Sequence, residues 1–177
     1  MEQMKFIPIL LGSDMNVYGM AKAFHEAYGI KSVAYADHLL APTKFSHIVT
    51  VHPKMGFDED PVFTETLLAL AKSTYNNPDM HYWLIPCGDG YAELLAKNKE
   101  KLAPYYTFIA NNYDLFERLV NKVSFYEVCE EYQLPYPATV IIRKESLVAG
   151  KFIGELPFEF PIALKPANSV EWLSVDF

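Results

Sequence analysis

The sequence predicts an α/β protein built on a Rossmann-like open parallel sheet. Two observations point there: apolar runs of strand length alternate with stretches of helical period, and the composition is that of an ordinary globular chain. Of the 177 residues, 51% are hydrophobic and 21% charged, which excludes disorder, collagen and coiled coil. Fifteen Lys and Arg stand against 22 Asp and Glu, for a net charge of −7. The acidic excess is spread along the chain, ten bases to fourteen acids over residues 1–120 and five to eight over 121–177. Without a basic block, neither nucleic acid nor an anionic membrane surface is an expected partner.

Taken in order, Phe6 to Leu11 reads as a buried first strand, with Pro8 awkward in a central position. From Asn16 to Tyr28, the apolar residues Val17, Met20, Ala21 and Phe24 recur at helical spacing, and Gly29 is placed to close the helix. Lys31 to Ala36 and Ile48 to Val51 read as strands two and three. Pro61 to Tyr75 is a helix with proline in its first turn. Tyr82 to Pro86 is strand four, Tyr91 to Leu102 one continuous helix, and Thr107 to Ala110 strand five. Right-handed crossovers would bring these elements into an open sheet with helices on both faces, and a ligand site at its switch point is conditional on the strand order 3-2-1-4-5. The rhythm then changes: two successive helices cover Tyr113–Val120 and Lys122–Tyr132, followed by strands at Ala138–Ile142 and Ile162–Lys165. The expected division is therefore 1–115, able to close a sheet, and 116–177, too small for a core of its own.

The longest apolar runs fall far short of the roughly 18 residues a membrane helix needs, and Glu2 argues against a secretory signal. Cys87 and Cys129 fit neither a CxxC motif nor a disulfide framework, so a cytoplasmic protein is expected.

Two turns carry candidate chemistry. Gly12-Ser13-Asp14-Met15-Asn16-Val17-Tyr18-Gly19 sits where a dinucleotide-binding protein places its glycine fingerprint, yet it is not GxGxxG, which disfavours an NAD-dependent enzyme. Ser13, Asp14 and Asn16 serve either as helix caps or as substrate ligands. Asp37, ending strand two, is better read as a loop carboxylate than as a ribose ligand. In Pro86-Cys87-Gly88-Asp89-Gly90, the turn Gly88, Asp89, Gly90 can hold a carboxylate on its backbone N–H groups, or be a plain strand-to-helix turn. With the order 3-2-1-4-5, both turns flank the point where strand order reverses, where ligands bind. Cys87 reads as a strand-end thiol, not a nucleophile. His25-Glu26 begins HExxH, but the fifth position is Gly29, and neither GxSxG nor a P-loop is present.

A third constellation lies later: Asn121-Lys122 opening a helix, Pro135-Tyr136-Pro137-Ala138-Thr139, and Phe160-Pro161-Ile162-Ala163-Leu164-Lys165-Pro166-Ala167-Asn168-Ser169. This series resembles the opening of an ATP-grasp domain, and the Rossmann-like segment before it resembles the pre-ATP-grasp domain of that superfamily. Within it, Gly12 to Gly19 and Lys165 to Glu171 most resemble carboxylate–amine ligases of the D-aspartate ligase type, relatives of the carbamoyl-phosphate synthase large subunit. The resemblance implies that Lys122 and Lys165 reach ATP, with Asn168 and Ser169 at the start of the loop over the phosphates. That loop lacks the glycines of many relatives.

The implied reaction forms an acyl phosphate from ATP and a carboxylate, and an amine then displaces phosphate. The expected partners are a small carboxylate and an amine, with ATP and Mg2+ as cofactors, and the amine on a peptidoglycan precursor. The metal ligands implied by the family fall beyond Phe177. On this reading the chain is the N-terminal part of such a ligase and inactive alone. The apolar surface near Ile162 to Leu164 then stays uncovered, open to pairing into a homo-oligomer. The alternative is a non-enzymatic Rossmann-like binding or regulatory module.

Overall fold

The computed structural model describes residues 5–143, 145, 147–148, 151–152 and 154–168. It falls into two compact units, 1–116 and 117–177. The first is an α/β unit with an all-parallel four-stranded sheet in the order β3-β2-β1-β4, where β1 is Phe6–Leu11, β2 Ser32–Ala36, β3 Val49–Pro53 and β4 His81–Pro86. The order on which a switch-point site is conditional is met by these four strands. Expected strand five shrinks to one parallel bridge, Trp83 to Thr107, because the segment then leaves the sheet and Ile109 lies 96% exposed.

The central strand carries Ile9, Leu10 and Leu11, all fully buried. Side chains alternate across a strand, so Leu10 joins Val17, Ala21, Ala34 and Val49 on one face. Ile9 and Leu11 join Phe57, Phe63, Leu67, Leu84 and Leu95 on the other. The first face is covered by helix α1, Met15–Tyr28, which ends as expected at Gly29 with φ +67. Helix α3, Val62–Ser73, lines the second face with α4, Asp89–Lys97, and α5, Lys99–Leu102.

Pro8 is fully buried and harmless there. Gly12 N–H bonds to Tyr35 C=O at 2.8 Å, and amides two residues apart along a strand face the same neighbour. Pro8's missing donor therefore faces the position of Lys31, just before β2 begins at Ser32.

Two helical features escaped the periodicity. A four-residue helix α2, Ala41–Lys44, lies between β2 and β3, giving this parallel pair the crossover it requires. The expected continuous helix over Tyr91–Leu102 breaks at Asn98, whose φ of −108 and ψ of 15 leave the helical region. Asn98 is nearly buried, and its amide donates to Asp60 Oδ2 at 2.6 Å and to Leu94 C=O at 3.0 Å. The side chain is committed to a neighbouring loop, and the helix bends to let it reach.

Helix α6, Tyr113–Val120, runs across the division between the units, and α7 is Lys122–Glu131. In the second unit, β5, Leu147–Val148, and β6, Lys151–Phe152, form a short antiparallel pair. The strands expected at Ala138–Ile142 and Ile162–Lys165 are irregular backbone instead. No ladder partner faces them among the described residues, and Leu164 is 85% exposed.

Candidate functional site

Where β1 and β4 run side by side, their following turns leave a cleft of about 340 Å³ at the reversal of strand order. Gly12, Ser13 and Asp14 line it from β1, Asp37, His38 and Leu40 from the end of β2, Asp58 from the turn before α3, and Gly88 and Tyr91 from the start of α4. A second hollow of about 400 Å³ adjoins it, sharing Cys87 and Gly88 and lined also by Asn16, Met20 and Asp89.

Gly12 is dictated by backbone and space together. Its φ is +122, and a Cβ there would lie 3.1 Å from Val17 Cγ2 and 3.6 Å from Tyr91 Cε2. Asp14 caps α1: its Oδ1 accepts from the amides of Asn16 and Val17 at 3.0 and 3.2 Å, and its Oδ2 accepts from Asn16 Nδ2 at 3.1 Å. Ser13 is buried, with its hydroxyl donating to His38 C=O at 2.6 Å and its carbonyl accepting from Thr43 Oγ1 at 2.7 Å. The first turn thus spends its side chains on shaping itself.

The second turn is built differently. Gly88 caps α4 with no side chain satisfying the first amides, and space around Gly88 and Gly90 is open. The N-terminus of α4 therefore offers backbone donors and the positive end of the helix dipole. Gly88 lines both hollows and Asp89 one, while Gly90 lines neither.

Cys87 is no nucleophile. Burial pushes its thiol up to about 11, and the nearby Asp14 carboxylate adds to the shift. Tyr91 is pushed up to about 12, first by burial and then by the charges of Asp58, Asp37 and Asp14 against the opposing pull of the Asp37 amide. It keeps its proton at any physiological pH.

Three carboxylates, Asp14, Asp37 and Asp58, face one histidine around this cleft. A dinucleotide pyrophosphate would meet repulsion there, whereas an ammonium group would not. Asp37 is moreover occupied as a loop carboxylate: it accepts from Gly56 N–H and contacts His38 Nδ1, and its own amide donates to Tyr91 Oη at 3.2 Å.

Sequence reasoning missed Asp58 and Tyr91 as cleft residues. Asp58 follows strand three at its C-terminal end, where ligand residues gather in open sheets, and this signal was available. Tyr91 reads in sequence as an ordinary apolar helix residue.

The second unit brings together two motif segments more than forty residues apart. Asn121 caps α7 by accepting from Val123 N–H at 2.9 Å, and Lys122 N–H donates to Ala167 C=O at 2.8 Å. Lys165 is exposed on irregular backbone two residues before that carbonyl, and Asn168 is half-buried one residue after it. Ser169 lies outside the described residues. Among the described residues, no three His, Cys, Asp or Glu converge as metal ligands do, and no helix is long and apolar enough to cross a membrane.

Sheet, cleft and turns together define a Rossmann-like α/β domain with an open hollow at its switch point. No family model matches the chain. Over 176 residues, 99% of its length, the chain is 62% identical to D-aspartate ligase of Enterococcus faecium (strain Aus0004), and it spans 42% of that protein. The resemblance read from the two motifs is met by this match.

Proposed function

We propose that these residues belong to an ATP-dependent carboxylate–amine ligase and provide its carboxylate-binding cleft together with the first elements of its ATP site. The observation that carries this reading is the 62% identity to D-aspartate ligase over 99% of the chain. The substrate is an amino acid such as D-aspartate, activated as an acyl phosphate and transferred to an amine, which we place on a peptidoglycan precursor.

The cleft chemistry supports an amino acid. Backbone donors at Gly88 and Asp89 suit a carboxylate, while the Asp58 carboxylate, with the charge of Asp14 behind its capping bonds, suits an ammonium group. In the second unit, Lys122 and Lys165 supply point charges for ATP phosphates, on a segment pinned to α7 by the Lys122–Ala167 bond. ATP arrives with Mg2+, which neutralises charge on the transferred phosphoryl group. The family resemblance puts the ligands for that ion in the C-terminal half of the ATP-grasp fold.

The test is trapping in the complete ligase. With D-aspartate, ATP, Mg2+ and hydroxylamine, ADP release and aspartyl hydroxamate should appear together. ADP release that ignores D-aspartate refutes the reading. Lys165→Ala should raise KM for ATP, and Asn16→Ala and Asp58→Asn should raise KM for the amino acid; unchanged values remove those side chains from the site.

A further inference from the structure

Asp37 sits at a junction that its role as a lining residue does not explain. Its carboxylate is only 14% exposed, far less than the His38 ring beside it at 76%. One carboxylate oxygen accepts from Gly56 N–H, in the turn between β3 and α3, where Gly56 has φ +79 and a Cβ would meet Val62 Cγ2 at 3.4 Å. Two residues beyond Gly56 stands Asp58, facing the cleft. On its main-chain side, Asp37 N–H donates to Tyr91 Oη at 3.2 Å, and Tyr91 lies in the first turn of α4, directly after Gly88-Asp89-Gly90. The Tyr91 ring is wedged beside Gly12 and packs near Phe57 and Phe63, with ring centroids 5.9 and 6.4 Å away. One residue at the end of β2 is thus bonded to two separate loops that each supply part of the cleft wall.

We infer that Asp37 and Tyr91 are positioning residues for substrate: Asp37 fixes the turn that carries Asp58, and Tyr91 references the Gly88–Gly90 turn to the end of β2. Neither touches the reacting atoms. They act by holding the opposing cleft walls at a set separation, so that the amino-acid substrate meets both walls without an ordering cost. The inference rests on the ligase reading for the identity of the substrate, but the clamp itself does not.

Two measurements separate those cases. In the complete ligase, Asp37→Ala removes the acceptor of Gly56 N–H, Asp37→Asn keeps a carbonyl oxygen there, and Tyr91→Phe keeps the ring while removing the hydroxyl. Asp37→Ala and Tyr91→Phe should each raise KM for D-aspartate about tenfold, the size expected for losing one such hydrogen bond. KM for ATP and kcat should stay within about twofold, and Asp37→Asn should restore most of the lost affinity. A purely architectural role would lower the active fraction, and so kcat, with KM unchanged, and that result overturns the inference. Independently of any turnover, amide hydrogen exchange on the 177-residue chain should quicken at Gly56 in Asp37→Ala and at Asp37 in Tyr91→Phe, but not in Asp37→Asn. If wild-type ligase ignores D-aspartate while these exchange changes appear, the substrate assignment falls and the clamp stands. If exchange is unchanged, the clamp falls whatever the enzyme does.

Discussion

Replacing Gly12 by alanine tests the turn on which the whole cleft depends. At φ +122 the backbone occupies a region that L side chains rarely adopt, and the new methyl would press on Val17 Cγ2 at 3.1 Å. Val17 is fully buried, packed in the cluster with Leu10, Ala21, Ala34 and Val49. Backbone strain of this kind costs about 1–3 kcal/mol and overpacking at a rigid site about 1 kcal/mol more, so Gly12→Ala should lose about 2–4 kcal/mol. A unit of 116 residues melts about 4 °C lower per kcal/mol lost, which puts the shift at about 8–16 °C. Urea unfolding gives the free energy directly, with the slope expected to stay constant. A double-mutant cycle with Val17→Ala divides the loss, since the coupling between the two sites reports the steric part and the remainder the backbone part. A Gly12→Ala protein within about 0.5 kcal/mol of wild type, the range of an ordinary surface change, would show that the turn tolerates a side chain and that the argument from φ and packing is wrong.

Asp14→Ala removes the acceptor of two α1 amides and should cost about 1 kcal/mol in urea unfolding; an unchanged midpoint would mean that Asp14 caps nothing in solution. Asn98→Ala should lose about 1–2 kcal/mol because a buried side chain bridging Asp60 and Leu94 disappears, and an unchanged stability would show that the break between α4 and α5 has another cause. Burial alone would raise the Asp60 carboxyl, but hydrogen bonds from Thr64 and Asn98 outweigh it and hold the pKa below its ordinary value. Its contribution is therefore present above the unfolded value of about 4 and fades as pH falls through the lower folded value. The stability gap between wild type and Asp60→Asn should close in acid, and a gap that widens there contradicts the sign. Cys87, with its thiol near 11 instead of 9, carries about a hundredfold less thiolate than an unperturbed cysteine, so iodoacetamide should label it about that much more slowly than a free thiol by mass spectrometry.

The parallel sheet was legible because buried strands such as Ile9–Leu11 and Leu84 leave apolar runs that nothing else explains. The break at Asn98 was not, since it depends on Asp60, 38 residues away, and helical period says nothing about a distant partner. Thr107–Ala110 and Ile162–Lys165 show the opposite failure: their apolar residues satisfy a strand pattern, but a strand exists only where a neighbour takes its hydrogen bonds. At the site, the two turns were visible from Gly12 and Gly88. Asp58 was legible from its place after strand three, whereas Tyr91 came into view only through its hydrogen bond with the Asp37 amide. Asp14 caps α1 while still lining the cleft, whereas the uncapped α4 leaves the Gly88 and Asp89 amides available to a ligand.

Pro8 has one more effect. Parallel strands with continuous apolar runs carry little information about their alignment, because a shift by two residues keeps every side chain on its own face. Sliding β1 two positions along β2, so that the missing Pro8 donor faces Val33 instead of Lys31, would place a ring where an N–H is required and forfeit a ladder bond in a dry interior. The proline thus acts as a ratchet tooth at the bottom of the sheet: it blocks slippage of β1 along β2 in that direction, and so sets a limit on the height of Gly12 relative to Asp37.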